Sequence, residues 1–245
     1  MEATASWEWN LELLGCWQLR RGDEPIEVGF RQQRVITVVA LLGSRSRTFV
    51  ANLLWPENSE SQAAGSLRAS MYRISHELPT LMQSAGHRLA LGNRVAVDVH
   101  SVRQLVRDIL ATGAVTPPTA ATDVLCSADL LPGWYEDWVI FEQERLWQGR
   151  VAALEALARH YLDRGDNARA LAAAGAAAAM EPLRESAHLL LVQGHLAAGN
   201  RASASAAFGR LRAGLDRELG IAPSPRFTEL LDLRTPLPAR ERDPG

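Results

Sequence analysis

With 245 residues, 47% of them hydrophobic, the chain has the length and composition for one large or two modest globular domains. Its 26 basic side chains, all arginine, against 28 acidic ones leave a formal net charge of −2, which excludes a polycation, so any nucleic-acid surface must be local. Cys16 and Cys126 are too few for a disulfide framework or a zinc site, no apolar run approaches the ~20 residues of a membrane span, and MEATASWEWN lacks the layout of a secretory signal. The expectation is a cytoplasmic protein with two buried thiols and no membrane contact.

From residue 9 to 28 the alternation of Leu11, Leu13, Trp17 and Leu19 around the turn residues RRGDEP predicts a small N-terminal sheet. The apolar run Val35 to Leu42 stops at Gly43, as a buried helix with a glycine cap would; its β-branched residues also allow a strand. Ser46 then caps a short helix ending at Trp55-Pro56, with Phe49, Val50, Leu53 and Leu54 facing the core.

The next stretch carries the functional argument. Ser59 and Gln62 form a capping-box pattern and Pro79 cannot continue a helix, so a helix is expected from about Glu60 to Leu78. Leu67, Met71, Ile74 and Leu78 fall on one stripe to be buried. At about 100° per residue the opposite face carries Gln62, Gly65, Ser66, Ala69, Tyr72, Arg73 and His76, small near its start and hydrogen-bonding along its length. Such a face suits a DNA major groove, where Gln, Arg and Ser read base edges; a solvated surface is the plain alternative. Arg68, at the edge of the buried stripe, suits a phosphate contact or a local salt bridge equally well.

After Pro79 comes a loop, and then HRLALGNRVAVDV, two alternating runs around Gly92-Asn93, which predicts a hairpin turning there. Strands, three helices and a hairpin make a winged helix-turn-helix, with Arg88 placed for phosphate and Arg94 for a minor groove. Asp98 starts another helix through about Leu110, and the Pro/Thr/Ala-rich stretch 111–122 reads as a loop. A turn at LLPGWYEDW leads into a long amphipathic helix, and its clustered tryptophans Trp134, Trp138 and Trp147 suggest packing.

From Val151 the chain repeats at 34 residues: Leu157 and Leu191, Gly165 and Gly199, Ala168 and Ala202, Ala170 and Ala204. Tyr161, Ala177 and Pro182 also sit where stacked helix pairs want an aromatic, a small residue and a helix-ending proline. The fold class expected is therefore an α+β N-terminal winged helix-turn-helix, residues 1–98, followed by an all-α tetratricopeptide-like helical domain, residues 99–235, with a flexible tail at 236–245. No catalytic, cofactor or metal motif is found: His188 and His195 share a helix face with no further ligand, and there is no nucleophile elbow or GxxxxGK[ST] loop.

Several strings together give a resemblance over residues 8 to 234. In the first half they are Arg34 with its apolar helix, Leu54-Trp55-Pro56, the spacing of Leu67, Met71 and Ile74, and Arg88-Leu89-Ala90 leading to Val97-Asp98-Val99-His100. In the second they are the string from Leu131 to Trp138, Glu181 to Ser186, Gly199-Asn200-Arg201, and Glu218 to Pro225. The chain resembles the Streptomyces antibiotic regulatory protein family, an OmpR-like winged helix joined to a bacterial transcriptional activator domain, and looks like a small member. The resemblance implies a transcriptional activator that binds direct repeats in double-stranded DNA at promoters of a secondary-metabolite (antibiotic) biosynthesis cluster, self-associates there and recruits RNA polymerase holoenzyme. The register Arg73 to Glu77 departs from the family in holding one arginine where two or more basic residues are usual, which implies fewer phosphate contacts. The competing expectation is a tetratricopeptide-type protein-interaction adaptor or effector-binding regulator with weak or no autonomous DNA binding.

Overall fold

The computed structural model describes residues 7–112 and 121–232. The tail assigned to 236–245 and most of the loop assigned to 111–122 lie outside them. The chain forms two compact units, one of residues up to 104 with 127–147, the other of 105–126 with 148 onward. No single cut near Asp98 separates them, because 127–147 packs with the first unit: Leu14 bridges Leu130, Gly15 N–H donates to the Asp129 carbonyl at 2.7 Å and Leu131 N–H to the Leu13 carbonyl at 2.8 Å.

In the first unit β1 (Trp9–Glu12), β2 (Gln18–Arg21) and β3 (Glu24–Ile26) form an antiparallel meander. Trp9 and Leu11 point into the core and Asn10 and Glu12 lie half-buried, the alternation a one-sided sheet requires. The ambiguous apolar run is helical, α1 (Phe30–Leu42), and it is buried at consecutive positions from Val35 to Leu41, which explains the absence of a polar stripe. Gly43 ends it at φ 74°, with its N–H on the Val39 carbonyl. A two-residue strand, β4 (Arg45–Ser46), precedes α2 (Arg47–Leu54), whose cap is Ser46 Oγ accepting from Phe49 N–H. Ala51, not Phe49, completes the buried face of α2 with Val50 and Leu54. Phe49 is exposed beneath the Arg45 guanidinium, 5.6 Å from its ring centre, and Leu53 is half-buried.

The third helix, α3 (Glu60–Glu77), has both bonds of the expected capping box, and Leu67, Met71, Ile74 and the C-cap Leu78 are buried. The hairpin after it differs from expectation. Its strands are β5 (Met82–Ala85), in the stretch expected as a loop, and β6 (Arg88–Leu91), turning at Gly86-His87 with Gly86 at φ 59°. Strand β7 (Val95–Val97) does not return along β6; it joins β1 in parallel, completing the order β3-β2-β1-β7, while β4-β6-β5 is a separate sheet. Gly92 is therefore not a hairpin-turn glycine. It lies where a Cβ would come within 2.0 Å of the Thr80 carbonyl oxygen, so the residue answers to close backbone approach.

Helix α4 (Asp98–Thr112) begins with Asp98, whose carboxylate accepts the backbone N–H groups of Leu13 at 3.0 Å and Leu14 at 2.9 Å and so fixes the end of β1. A second polar tie uses the residues that carried the resemblance. Arg34 donates to both carboxylate oxygens of Glu136, at 2.8 and 2.5 Å, and to the Leu54 carbonyl, with its guanidinium 5.9 Å from the centre of the Trp55 ring; Trp138 Nε1 also donates to Glu136. Trp134 packs edge-on to Phe30 at 5.2 Å. Both cysteines are exposed rather than buried.

The second unit holds α5 (Ala121–Leu125) and stacks the later turns of α6 (Asp137–Asp163) with α7 (Asn167–Met180), α8 (Glu185–Ala197), α9 (Arg201–Leu219) and α10 (Arg226–Asp232). The 34-residue period is visible in the turns. Gly165 and Gly199 take φ 74° and 78°, and the bonds Asp166 N–H to Tyr161 carbonyl and Asn200 N–H to His195 carbonyl, 2.9 and 2.8 Å, are one period apart. The buried face of α7 is Ala170, Ala173, Ala174, Ala177 and Ala178, and a Cβ on Gly194 of α8 would sit 2.9 Å from Leu171, so small residues set the helix spacing. Phe208 stacks on Phe227, ring centres 5.2 Å apart.

Candidate nucleic-acid interface

The capped start of α3 and the wing turn are joined through α2. Arg47 N–H donates to the His87 carbonyl at 2.8 Å and its guanidinium to Ser84 Oγ at 2.8 Å, so the first residue of α2 holds the tip of the β5–β6 hairpin. Between α2 and α3 lies a hollow of about 430 Å³ lined by Arg47, Thr48, Asn52, Ala64 and Arg68 among others. Arg47 and Arg68 against Glu60 leave this lining one net positive charge, which with Thr48 and Asn52 suits a phosphate.

Of the residues expected to touch DNA, Ala69, Tyr72, Arg73 and His76 are exposed on α3, and Gly65 and Ser66 are half-buried beside them. Tyr72 is 72% exposed and stacks in parallel on His76, ring centres 6.3 Å apart, which stiffens both side chains at the outer edge of the helix. Arg68 faces the hollow rather than the outer row. Gln62 is exposed, but its carbonyl oxygen accepts from Ser59 N–H and Oγ, both at 3.1 Å, so only its amide N–H groups remain for a base. Arg88 is tied to Ser44, Nε to Oγ at 3.1 Å and Nη2 to the carbonyl at 2.7 Å, which draws its guanidinium back along the wing.

Arg94 is not brought to this group. It precedes β7, its carbonyl accepts Glu8 and Trp9 N–H at 3.0 and 3.1 Å, and it belongs to the four-stranded sheet. A hydrogen bond from Thr80, then one from Arg21, and the charges of Arg21 and Arg94 hold the Glu8 carboxyl below its ordinary range. The misplacement follows from putting the hairpin turn at Gly92-Asn93: with the turn at Gly86-His87, His87 is the tip residue and Arg94 lies beyond the wing. Arg47, Thr48 and Asn52 also line the hollow between α2 and α3, which the apolar face of the α2 segment does not reveal. The signal was a capping serine followed by arginine and threonine.

Among the described residues no cluster of His, Cys, Asp and Glu could hold a metal ion, and no helix is long and apolar enough to cross a membrane. His188 and His195 do not converge on a ligand; His188 Nε2 faces the Pro182 carbonyl at 3.0 Å.

Residues 97–232 match the model of the bacterial transcriptional activator domain. The chain belongs to that family. It is similar to the regulatory protein AfsR of Streptomyces griseus, 29% identical over 233 residues, and to AfsR of Streptomyces coelicolor, 28% identical over 231. Each match covers 89% of this chain but 24% and 23% of the relative, so the chain spans about a quarter of the length of these curated relatives. A solved structure, Mycobacterium tuberculosis EmbR in complex with a low affinity phosphopeptide, shares the fold with a TM-score of 0.72 over 95% of this chain and 67% of that one, at 19% identity. The resemblance to Streptomyces antibiotic regulatory proteins is thereby borne out, and so is the order of a winged helix followed by stacked helices.

Proposed function

We propose that the chain is a DNA-binding transcriptional activator in which α3 enters the major groove. The carrying observation is an exposed row of Ala69, Tyr72, Arg73 and His76 on a capped helix, beside the arginine-lined hollow between α2 and α3. Arg73 pairs with a guanine or a phosphate, Tyr72 reaches phosphate or a thymine methyl, and Ser66 and Ala69 allow the backbone close. Arg47, Thr48 and Arg68 take the flanking phosphate, while Arg88 adds a contact along the wing. Arg94 has no part in this arrangement. Residues 1–98 supply DNA contact and 99–235 supply activation, in the cytoplasm, by contact with RNA polymerase and with a second copy on direct repeats. The secondary-metabolite cluster as target rests on the family alone.

Fluorescence anisotropy with duplexes from the promoters near its gene tests the reading. Binding should weaken steeply with salt, and Arg73→Ala should cost about 1–3 kcal/mol. Absence of binding to every fragment at low salt overturns it and leaves the helical half as a protein-contact module.

A further inference from the structure

The helical unit contains a hollow of about 570 Å³ that DNA binding does not use. Leu189 and Leu190 of α8 and Phe227 of α10 give it an apolar lining, and its size falls within the range of small-molecule pockets. Its charged lining is two arginines, Arg159 and Arg226, against Glu185. These charges differ in how they are engaged. Arg159 is paired with Glu155 at 3.2 Å, and Glu185 accepts the backbone N–H of Ser224 at 2.9 Å, fastening the segment before α10 to the start of α8. Two family strings of the second half, ending at Ser186 and at Pro225, thus meet at this hollow.

The side chains of Arg226 and Gln193 make no hydrogen bond or ion pair with any of the described residues, yet both line the hollow. A guanidinium offers two parallel N–H donors to a carboxylate, and a primary amide adds a third. An apolar body attached to that carboxylate would cover Leu189, Leu190 and Phe227. A cationic ligand would meet two arginines, Arg159 and Arg226. The geometry points to a binding site for a small amphipathic carboxylic acid, its carboxylate on Arg226 and Gln193 and its apolar part against α8 and Phe227. This assignment is independent of DNA contact, because the site lies wholly within the helical unit and is tested without DNA.

The probe is octanoate, titrated into the full chain by calorimetry and by amide chemical shifts. Saturable binding is expected, with shifts at Leu189, Gln193 and Arg226. Octanol and octylamine should bind about tenfold more weakly or worse, since a charge-assisted bond is worth that factor. Arg226→Ala should weaken octanoate by a similar factor, Gln193→Ala by less, and Arg212→Ala, an exposed arginine of α9, should leave it unchanged. Circular dichroism confirms that each variant keeps its helices. No saturable binding of octanoate at millimolar concentration, equal binding of octanol, or unchanged binding to the folded Arg226 variant each overturns the site.

Discussion

The two units hold themselves together over different distances in sequence. In the winged-helix unit the polar ties span most of the unit: Asp98 to Leu13 is 85 residues, Arg34 to Glu136 is 102. In the helical unit Glu155 accepts from Arg184 and from Ser186, 29 and 31 residues away, close to one repeat. A structure built on the first kind of contact orders all its parts together or not at all, whereas stacked helix pairs gain stability neighbour by neighbour. Removing one long-range tie should therefore cost more than disturbing one repeat turn.

The largest effect is expected at Glu142, whose tie to Arg103 is shorter in sequence than those two, 39 residues, but is the most deeply buried ion pair of the winged-helix unit among the described residues. Its side chain is 2% exposed and takes Arg103 at 2.5 Å and Arg145 at 3.2 Å. Glu142→Ala takes the carboxylate from the largely buried Arg103 and from Arg145, and a loss of about 3–5 kcal/mol is expected in urea denaturation. A loss below about 1 kcal/mol would put the pair in the class of surface ion pairs and remove the contrast. Gly92→Ala comes next, at about 2–3 kcal/mol by the same measurement, because the new methyl meets a backbone oxygen that cannot swing away. Gly165→Ala and Gly199→Ala should each cost about 1–2 kcal/mol, the penalty of a left-handed residue with a Cβ. Equality of these two within experimental error sharpens the comparison, since their hydrogen bonds are the same set shifted by one repeat.

The contrast also explains what could be read from the sequence. Helices and caps were legible where the cause is local: Ser59 with Gln62, Gly43, Ser46, and the alanine and glycine period from residue 157 onward. The parallel pairing of β1 with β7 was not, because nothing in VAV states which strand it will join, and Gly92-Asn93 mimics a turn while serving a tight crossing. Arg34, Trp55, Glu136 and Trp138 were noticed as separate strings, and only the fold shows them to be one cluster, structural in nature. On the DNA-facing side, the outer row of α3 follows from helical spacing, and Gln62, which the sequence places both in the cap and on that face, gives its carbonyl to the cap. The hollow between α2 and α3 needs two helices in register and has no one-dimensional signature.

The smallest effect separates the units by pH. His188 is 7% exposed on α8; Nε2–H donates to the Pro182 carbonyl, leaving Nδ1 as a buried acceptor with no partner among the described residues. Burial pushes its pKa below the ordinary 6.5, the Pro182 carbonyl opposes this and the Arg210 charge adds to it. The unfolded chain thus takes up a proton near pH 6.5 that the folded chain refuses, so the contribution of His188 is full above that value and is lost as the pH falls through the folded pKa. Glu155 acts lower down. Burial raises its pKa, but hydrogen bonds from Arg184 and Ser186 and the charges of Arg184 and Arg159 carry it below 4.5, so its contribution is intact above that pH and fades beneath it. Below 6.5 and above the range of Glu155, proton uptake by the unfolded chain at His188 destabilises the helical unit. Thermal melts followed by helical circular dichroism should show the wild-type midpoint falling with pH in that window and His188→Gln flattening the slope; an equal slope in the variant would assign the proton uptake elsewhere.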